Sequence, residues 1–222
     1  MHRRSALRVI ALSYWCGALP FSNVAARLVA GVDLRQHGSG TVSGTGLYEV
    51  AGFLPLAVAG SLDVAKGAVG PLVAGSDRPL LGALGAGASV AGHDWSPVLR
   101  GRGGRGLSVA LGATLVSAPE GAVVLGLGMA GGRLVHQTAL GSFLATVALF
   151  PVLGWRRGRG GVWLATCLAL PMVAKRLAGN EAVQIVPTTA DRSAAVIGRI
   201  LLARLLFDRD TLRREVTGSV PR

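Results

Sequence analysis

Residues 134–155 read LVHQTALGSFLATVALFPVLGW, an apolar run with no acidic residue, lysine or arginine. A helix needs about 20 mostly apolar residues to cross the hydrocarbon core of a bilayer. The run is closed by the basic cluster RRGR at 156–159, and such clusters are typical of the ends of membrane spans. The segment therefore predicts a transmembrane helix.

Apolar runs of the same kind recur along the chain. The other candidate spans are residues 9–26, 47–74, 79–92, 107–132 and 160–174. Pro119 is expected to divide the run 107–132 into two helices, because proline lacks a backbone donor and clashes with the preceding turn. Residues 192–207 carry Arg199 and Arg204 among apolar side chains, which favours an amphipathic helix along the membrane interface.

These runs predict an all-α, polytopic membrane protein with about five to seven transmembrane helices, some of them short. Polar, glycine-rich loops lie between the predicted helices. We expect residues 1–207 to form one integral membrane domain and residues 208–222 to form a polar, charged tail.

The composition supports a membrane protein. Hydrophobic residues make up 50% of the chain and charged residues 15%, with a mean hydropathy of +0.50. A soluble domain carries about 25% charged residues, because water must wet its surface. The net charge of +12 comes mainly from arginines clustered between the apolar runs, a pattern typical of span ends and not of a nucleic-acid surface. Cys16 and Cys167 have no CxxC or zinc-like neighbour, so we expect neither a metal nor a redox role.

Three charged residues, Glu49, Asp63 and Lys66, fall inside the predicted span 47–74. Asp63 and Lys66 lie one helical turn apart, and a lone charge in lipid is costly, so they are expected to form an ion pair. Such pairs also mark functional cavities, and at this stage both interpretations stay open.

Two polar, glycine-rich segments, residues 33–46 and 92–106, interrupt the apolar runs. Polar backbone at membrane depth occurs only where protein or a wet cavity shelters it, so a site is expected at these segments. Glycines within 38–40 and 103–106 would expose successive backbone N–H groups, which suit phosphate or another anion. Ordinary loop glycines at the end of a span would explain the same pattern equally well without an anion. The GxGxxG pattern at 101–106 follows no predicted strand and carries no weight.

The motifs in these segments resemble those of the bacterial acyl-phosphate-dependent glycerol-3-phosphate acyltransferases. The segment GVDLRQHGSG at 31–40 resembles the start of the family's first motif, which continues as GSGN-x-GATN-x-x-R. The segment DVAKG at 63–67 resembles D-x-x-K-G. Residues 92–97 and 103–106 resemble GH-x-F-P and GGKG, and KRLAGNE at 175–181 resembles R-L-L-x-G-x-E.

The resemblance implies an enzyme of phospholipid biosynthesis. Such an enzyme moves a fatty acyl group from acyl phosphate to glycerol 3-phosphate and makes lysophosphatidic acid, with no cofactor. Its expected partners are these two substrates and membrane lipids, without nucleic acid, and its expected location is the bacterial inner membrane. Since acyl phosphate is already activated, the protein mainly positions two phosphates and screens their charge.

The resemblance also implies the site residues. Ser39 and His93 are the predicted catalytic residues, and a structural role at a helix end is the alternative for His93. The predicted substrate-binding residues are Arg35, Gly38, Gly40, Thr45, Gly103, Gly104, Arg105, Gly106, Asn180 and Glu181. Arg105 stands where the family has lysine, so it would supply the charge opposite a phosphate. We expect both glycine segments to open onto one shared hollow.

Several positions depart from the family's motifs. Glu49 stands where the first motif ends in arginine, and Ala169 and Met172 stand where the third motif has histidine and asparagine. Reversing a charge about 4 Å from a phosphate changes their interaction by roughly 2 to 8 kcal/mol. The departures therefore favour an alternative as well: an inactive or acceptor-switched paralogue that acts as a membrane partner or regulator protein. A small transporter for an anionic solute is a third, separate alternative.

Overall fold

A computed structural model of the chain describes residues 3–37, 40–179 and 194–207. Within these ranges all regular secondary structure is helical. The α-helices are α1 (Arg3–Gly17), α2 (Phe21–Ala30), α3 (Gly44–Ala51), α4 (Phe53–Ala74), α5 (Pro79–Asp94), α6 (Leu107–Ser117), α7 (Pro119–Leu134), α8 (Thr138–Ala178) and α9 (Ala194–Phe207). Short 3-10 turns cover Leu34–Gln36 and Pro97–Leu99.

The lengths of the helices and the apolar exposed surface are those of a membrane protein. Among the described residues, the segments long and apolar enough to cross a bilayer are Ser5–Ala30, Phe53–Ala74 and Thr138–Ala178. Large apolar side chains such as Leu134 and Trp155 are exposed on the outside of the bundle. Lipid tails accommodate such a surface, whereas water does not. The predicted all-α, polytopic membrane fold is confirmed.

The predicted first span, 9–26, is broken just past its middle. Residues 18–20 separate α1 from α2, which frees backbone carbonyl groups inside the protein. Ser96 Oγ donates to the carbonyl oxygen of Ala18 at 2.6 Å, and Lys66 Nζ donates to that of Leu19 at 2.8 Å. Backbone acceptors in a membrane need such partners, so the break is stabilised by polar side chains from elsewhere in the chain.

The predicted second span is also divided. Gly52 adopts φ 81° and ψ −167° between α3 and α4, so Glu49 lies in the short helix α3 and not in the long helix α4. Its side chain is 57% exposed. Our placement of Glu49 within a transmembrane helix was therefore wrong. By contrast, Pro119 divides α6 from α7 as predicted.

The long helix α8 consists of two antiparallel arms. Gly158 adopts a non-helical conformation, φ 58° and ψ −141°, between residues 138–157 and 159–178. Beyond this reversal, Gly161 packs directly against the carbonyl group of Leu153. The basic cluster at 156–159 thus separates two membrane helices, as the sequence predicted.

Small residues allow the helices to approach closely, as expected for packing in lipid. Close approaches include Gly17 with Ser89, Gly85 with Ser13, Gly70 with Gly85, Gly67 with Val109, and Gly112 with Val64. These pairs make α1 parallel to α5 and α4 antiparallel to α5. The apolar core lies between α5, α6, α7 and α8, with Val90, Val109, Leu125, Leu149 and Leu168 at its centre.

Several helix ends meet at one end of the bundle. There the C-terminal ends of α1, α5 and the second arm of α8 meet the loop that precedes α6. The side-chain bonds from Ser96 to Ala18 and from Arg105 to the carbonyl oxygen of Lys175, at 2.8 Å, join them. We call this region the polar end, and it contains Asp63, Lys66, His93, Asp94, Arg105 and Lys175.

Helix α9 packs against the same end of α8. The Arg204 guanidinium donates to the Leu177 carbonyl oxygen at 3.1 Å, and the Arg176 guanidinium donates to the Leu205 carbonyl oxygen at 3.0 Å. The predicted helix over 192–207 is confirmed from Ala194 onward. Its position along the membrane interface stays a prediction, and the predicted tail at 208–222 lies outside the described residues.

Candidate active site

An ion-pair network around Asp33 anchors the first glycine segment. The Arg35 guanidinium donates to Asp33 through Nε at 3.0 Å and a terminal nitrogen at 2.6 Å, and Arg27 also donates to this carboxylate. The backbone N–H of Leu34 donates to Asn23 Oδ1 at 2.9 Å. Hydrogen bonds from Arg35, and then from Arg27, hold the pKa of Asp33 well below its usual range. Arg35, a predicted substrate contact, is therefore paired within the protein.

The centre of the first segment is described only in part. Gly38 and Ser39 lie outside the described residues, so their predicted roles stay predictions. Gly40 has φ +69°, and its N–H donates to the His37 carbonyl oxygen at 3.0 Å. That left-handed conformation favours glycine whether or not phosphate binds there. Thr45 is exposed in the first turn of α3, where a substrate group could reach it.

The second glycine segment folds back onto the end of α5. The N–H groups of Gly103 and Gly104 donate to the carbonyl oxygens of Asp94 and His93, each at 3.2 Å. A Cβ atom on Gly104 would overlap His93 Nε2 and would lie 2.9 Å from the Val42 carbonyl oxygen. Gly104 therefore has His93 on one side and the first segment on the other. The two glycine segments meet at this point.

These contacts explain the glycines without a ligand. Because the N–H groups of Gly103 and Gly104 bind the end of α5, two of the donors predicted for a phosphate are engaged by the protein in this structure. Gly106, at φ +71°, directly precedes α6 and is buried. A phosphate role for residues 103–106 stays a prediction, and packing is their observed role.

Arg105 and Lys175 brace the second segment against α8. Arg105 donates to the carbonyl oxygen of Lys175, and Lys175 Nζ donates to the carbonyl oxygen of Gly101 at 2.6 Å. The same Nζ lies 5.4 Å from the centre of the Trp95 ring, which adds a cation–π contact. Backbone carbonyls thus fix two cations beside the loop that holds His93.

The predicted ion pair between Asp63 and Lys66 is confirmed. Lys66 Nζ lies 2.7 Å from Asp63 Oδ1, and Ser22 Oγ donates to Asp63 Oδ2 at 2.9 Å. Both charged side chains are buried, and Lys66 also binds the broken helix at Leu19, as described above. The pair therefore links α4 to the break between α1 and α2.

A small hollow, with room for about one water molecule, opens between these groups. Its polar lining is Ser22, Asp63, His93, Ser96 and Gly104, and its apolar lining is Ala18, Leu19, Pro20, Phe21, Val42 and Leu99. The imidazole of His93, the carboxylate of Asp63 and an apolar wall thus line one space.

Sequence reasoning missed two residues of the polar end. Asp94 occupies a variable position between His93 and Trp95, and it is fully buried. Lys175 belongs to the third motif, yet it was not among the predicted site residues. A signal for Lys175 was present, since it is one of only two lysines in the chain and follows an apolar run. Nothing in the sequence indicated that Asp94 would be buried.

Two of the predicted substrate-binding residues, Asn180 and Glu181, lie outside the described residues, which resume at α9. Glu49 Oε2 lies 3.9 Å from His37 Nε2 at the surface. Among the residues that the structure describes, no three His, Cys, Asp or Glu side chains are grouped to hold a metal ion.

The family model and the similar proteins that the chain matches share one description. The family model described as glycerol-3-phosphate acyltransferase matches residues 7–183. A protein named glycerol-3-phosphate acyltransferase 5 from Dehalococcoides mccartyi strain 195 is 34% identical, over 91% of this chain and 88% of the relative. A glycerol-3-phosphate acyltransferase from Synechococcus sp. strain CC9902 is 35% identical, over 80% of this chain and 94% of the relative.

Solved structures show the same fold. The crystal structure of PlsY, an integral membrane glycerol 3-phosphate acyltransferase in its glycerol 3-phosphate form, superposes with a TM-score of 0.71. The match covers 96% of this chain and 100% of that chain at 23% sequence identity. The lysophosphatidic acid form superposes with a TM-score of 0.68. At this identity the structures show the fold alone.

Proposed function

The chain belongs to the glycerol-3-phosphate acyltransferase family, and on that premise we propose that it transfers a fatty acyl group from acyl phosphate to glycerol 3-phosphate. In this reaction the 1-hydroxyl oxygen attacks the acyl carbonyl carbon, the acyl–phosphate C–O bond breaks, and inorganic phosphate leaves. The product is lysophosphatidic acid. The enzyme class follows from the family, while the donor and the product are our proposal.

The observation that supports this proposal is the meeting of the two glycine segments beside His93. Gly104 packs against both His93 and the Val42 carbonyl group, and all three line the same hollow. Two cations, Arg105 and Lys175, are fixed by backbone carbonyls at the edge of this region. An acyl transfer between two phosphate-bearing substrates requires such a concentration of positive charge.

In the proposed mechanism, His93 accepts the proton of the 1-hydroxyl group as the new ester bond forms. The imidazole is held between the end of α5 and Gly104, so its position is set by backbone packing. Arg105 and Lys175 screen the charges on the substrate phosphate and on the leaving phosphate. Ser39, Gly38 and Gly40 would contact phosphate from the first segment.

The proposed location is the cytoplasmic face of the bacterial inner membrane. Glycerol 3-phosphate is a cytoplasmic, anionic metabolite, so the polar end must face that side to bind it. Phe21 and Leu99 form part of the apolar lining of the hollow, on the side where we propose that the acyl carbonyl group lies.

The assay is lysophosphatidate formation from palmitoyl phosphate and glycerol 3-phosphate by the purified, detergent-solubilised protein. We expect product from the wild type and at least about a tenfold lower kcat for Gly104→Ala, because a methyl group there would displace His93. Gly160→Ala is the matched control, since Gly160 has open space around it at the other end of the molecule, and it should keep the wild-type rate.

An inactive or acceptor-switched paralogue is the alternative, and Glu49 is the observation behind it. This exposed carboxylate stands where the family motif has arginine. No product from the wild type, under conditions where a relative with intact motifs is active, would reject the proposed reaction. Product formation by Glu49→Arg alone would then show that the charge reversal is the cause. A switched acceptor would appear as release of phosphate only with other hydroxyl compounds.

A further inference from the structure

Two buried arginines near the C-terminal end of α8 are not used in the proposed mechanism. Arg176 is 4% exposed and Arg204 is 5% exposed. Arg176 lies in the last turn of α8 and stands where the motif R-L-L-x-G-x-E has leucine. Arg204 lies in α9, beyond residue 183, where the family match ends. A buried charge is costly unless its donors are bound, so the partners of these side chains show what they do.

Each arginine caps the C-terminal end of the other's helix. The Arg204 guanidinium donates to the carbonyl oxygen of Leu177, in the last turn of α8, at 3.1 Å. The Arg176 guanidinium donates to the carbonyl oxygen of Leu205, in the last turn of α9, at 3.0 Å. The last four carbonyl groups of a helix have no partner within it, and the negative end of the helix dipole attracts cations. The two bonds are reciprocal, and we call this pair of side chains the arginine clasp.

The arginine clasp also reaches the first arm of α8. Arg176 donates to Ser142 Oγ at 2.5 Å, and its guanidinium carbon lies 5.9 Å from the centre of the Phe143 ring. Both partners lie in the first two turns of α8. One side chain thus joins the beginning of α8, its end and the end of α9. Loss of this guanidinium would remove a donor from both neighbours at once.

The helix end that the arginine clasp holds carries the cations of the proposed site. Lys175 directly precedes Arg176, and its Nζ donates to the carbonyl oxygen of Gly101. The carbonyl oxygen of Lys175 accepts from Arg105. A displacement of this last turn would therefore move Lys175 and Arg105 together, along with the loop that packs on His93.

We propose that Arg176 and Arg204 are positioning residues, which hold Lys175 and Arg105 where the substrate phosphates need them. This inference rests on the proposed function, in which these two cations screen both phosphates. The clasp itself does not touch substrate, because its guanidinium groups are buried and bound to helix ends. Charges that are already in place stabilise an anion without reorganisation, and a misplacement of about 1 Å can cost up to 100-fold in activity.

The test compares Arg204→Met with the wild type in the acyltransferase assay and in phosphate binding by titration calorimetry at pH 7.5. Methionine keeps a flexible apolar stem but cannot donate to Leu177. We expect KM for glycerol 3-phosphate and the Kd for inorganic phosphate to rise about tenfold. A merely structural role would reduce the fraction of folded protein, so it would lower kcat and leave KM and Kd unchanged.

Arg159→Met is the matched control, because it removes the same charge from the exposed reversal at the other end of the bundle. It should leave KM and Kd unchanged. Ser142→Ala changes no charge and removes one partner of Arg176, so it should raise both values about threefold. This variant separates the clasp from a long-range effect of charge, and it takes the place of Arg204→Met if that variant does not fold.

The double variant Arg176→Met/Arg204→Met tests whether the two arginines act as one unit. Because either loss opens the clasp, we expect the double variant to raise KM no more than about threefold beyond the larger single effect. Independent effects would multiply to about 100-fold and would overturn the inference. An unchanged Kd for phosphate in folded Arg204→Met and Ser142→Ala would also overturn it.

Phosphate binding does not require turnover, so the two proposals can fail separately. A wild type that makes no lysophosphatidate would reject the reaction, while weaker phosphate binding in Arg204→Met would still support the role of the clasp.

Discussion

Asp33 determines the shape of the first glycine segment through its side chain. Its carboxylate accepts from Arg35 and Arg27 and also from the backbone N–H of Arg35, at 3.1 Å. The Asp33 side chain is 12% exposed and that of Arg35 is 21% exposed, so water screens this pair less than the pair with Arg27, whose side chain is 53% exposed. The segment that follows α2 is thus fixed before it reaches Gly38.

Asp33→Asn should lower the stability of the protein at pH 7 by about 1–2 kcal/mol. The pKa of Asp33 is depressed in the folded protein, so its contribution is complete above the unfolded value of about 4 and is lost as the pH falls below it. We therefore expect the difference in melting temperature between variant and wild type, measured in detergent, to narrow from pH 7 to pH 3. A difference that stays constant over this range would contradict the assigned ion pairs.

At the scale of the element, the helices are held together where glycine lets two backbones touch. Gly67 of α4 faces the Val109 carbonyl group of α6, and Gly112 of α6 faces the Val64 carbonyl group of α4. The two contacts are reciprocal, and they lie next to the Asp63–Lys66 ion pair. This close packing therefore sets the position of a polar pair as well as that of two helices.

Gly67→Ala should force α4 and α6 apart, because the added methyl group would overlap the Val109 carbonyl oxygen. The expected loss of stability is about 1–3 kcal/mol, the usual cost of overpacking. The measurement is the midpoint temperature at which monodisperse protein disappears in size-exclusion chromatography after heating. Gly131→Ala, in open space on α7, is the control and should keep the wild-type midpoint. Equal midpoints for both variants would argue against direct contact of the two helices.

At the scale of the whole molecule, the polar end and the reversal at Gly158 lie at opposite ends of the bundle. The second arm of α8 connects them, running from residue 159 to Lys175 beside the second glycine segment. Arginine clusters occur at both ends, so the positive-inside rule alone does not decide the orientation. The proposed reaction uses an anionic, cytoplasmic substrate, and it therefore predicts that the polar end faces the cytoplasm.

Cysteine labelling would test this orientation. In a variant with Cys16 and Cys167 replaced by alanine, we expect a membrane-impermeant maleimide to label Arg159→Cys on intact cells. Arg100→Cys should react only after the inner membrane is disrupted. Both positions are exposed, so access depends on the side of the membrane and not on burial. The reverse pattern would place the polar end outside and would contradict the proposed substrate.

By itself, the amino-acid sequence determined the class of the protein and several of the points where one helix ends and the next begins. The apolar runs, the break at Pro119, the separation of two helices at 156–159 and the Asp63–Lys66 pair were all predicted. Each depends on hydrophobic length, on a proline or on residues one turn apart. These properties act within a single element, so they can be derived without knowing what packs against it.

Only the tertiary structure decided which groups share the site. The contact of Gly104 with Val42 and the brace between Arg105 and Lys175 join residues far apart in sequence. The burial of Asp94 likewise depends on neighbours from other helices, and no local pattern predicts it. Hydrophobicity places a helix in the membrane, but the charge and geometry of a site arise from the few side chains that separate helices bring together.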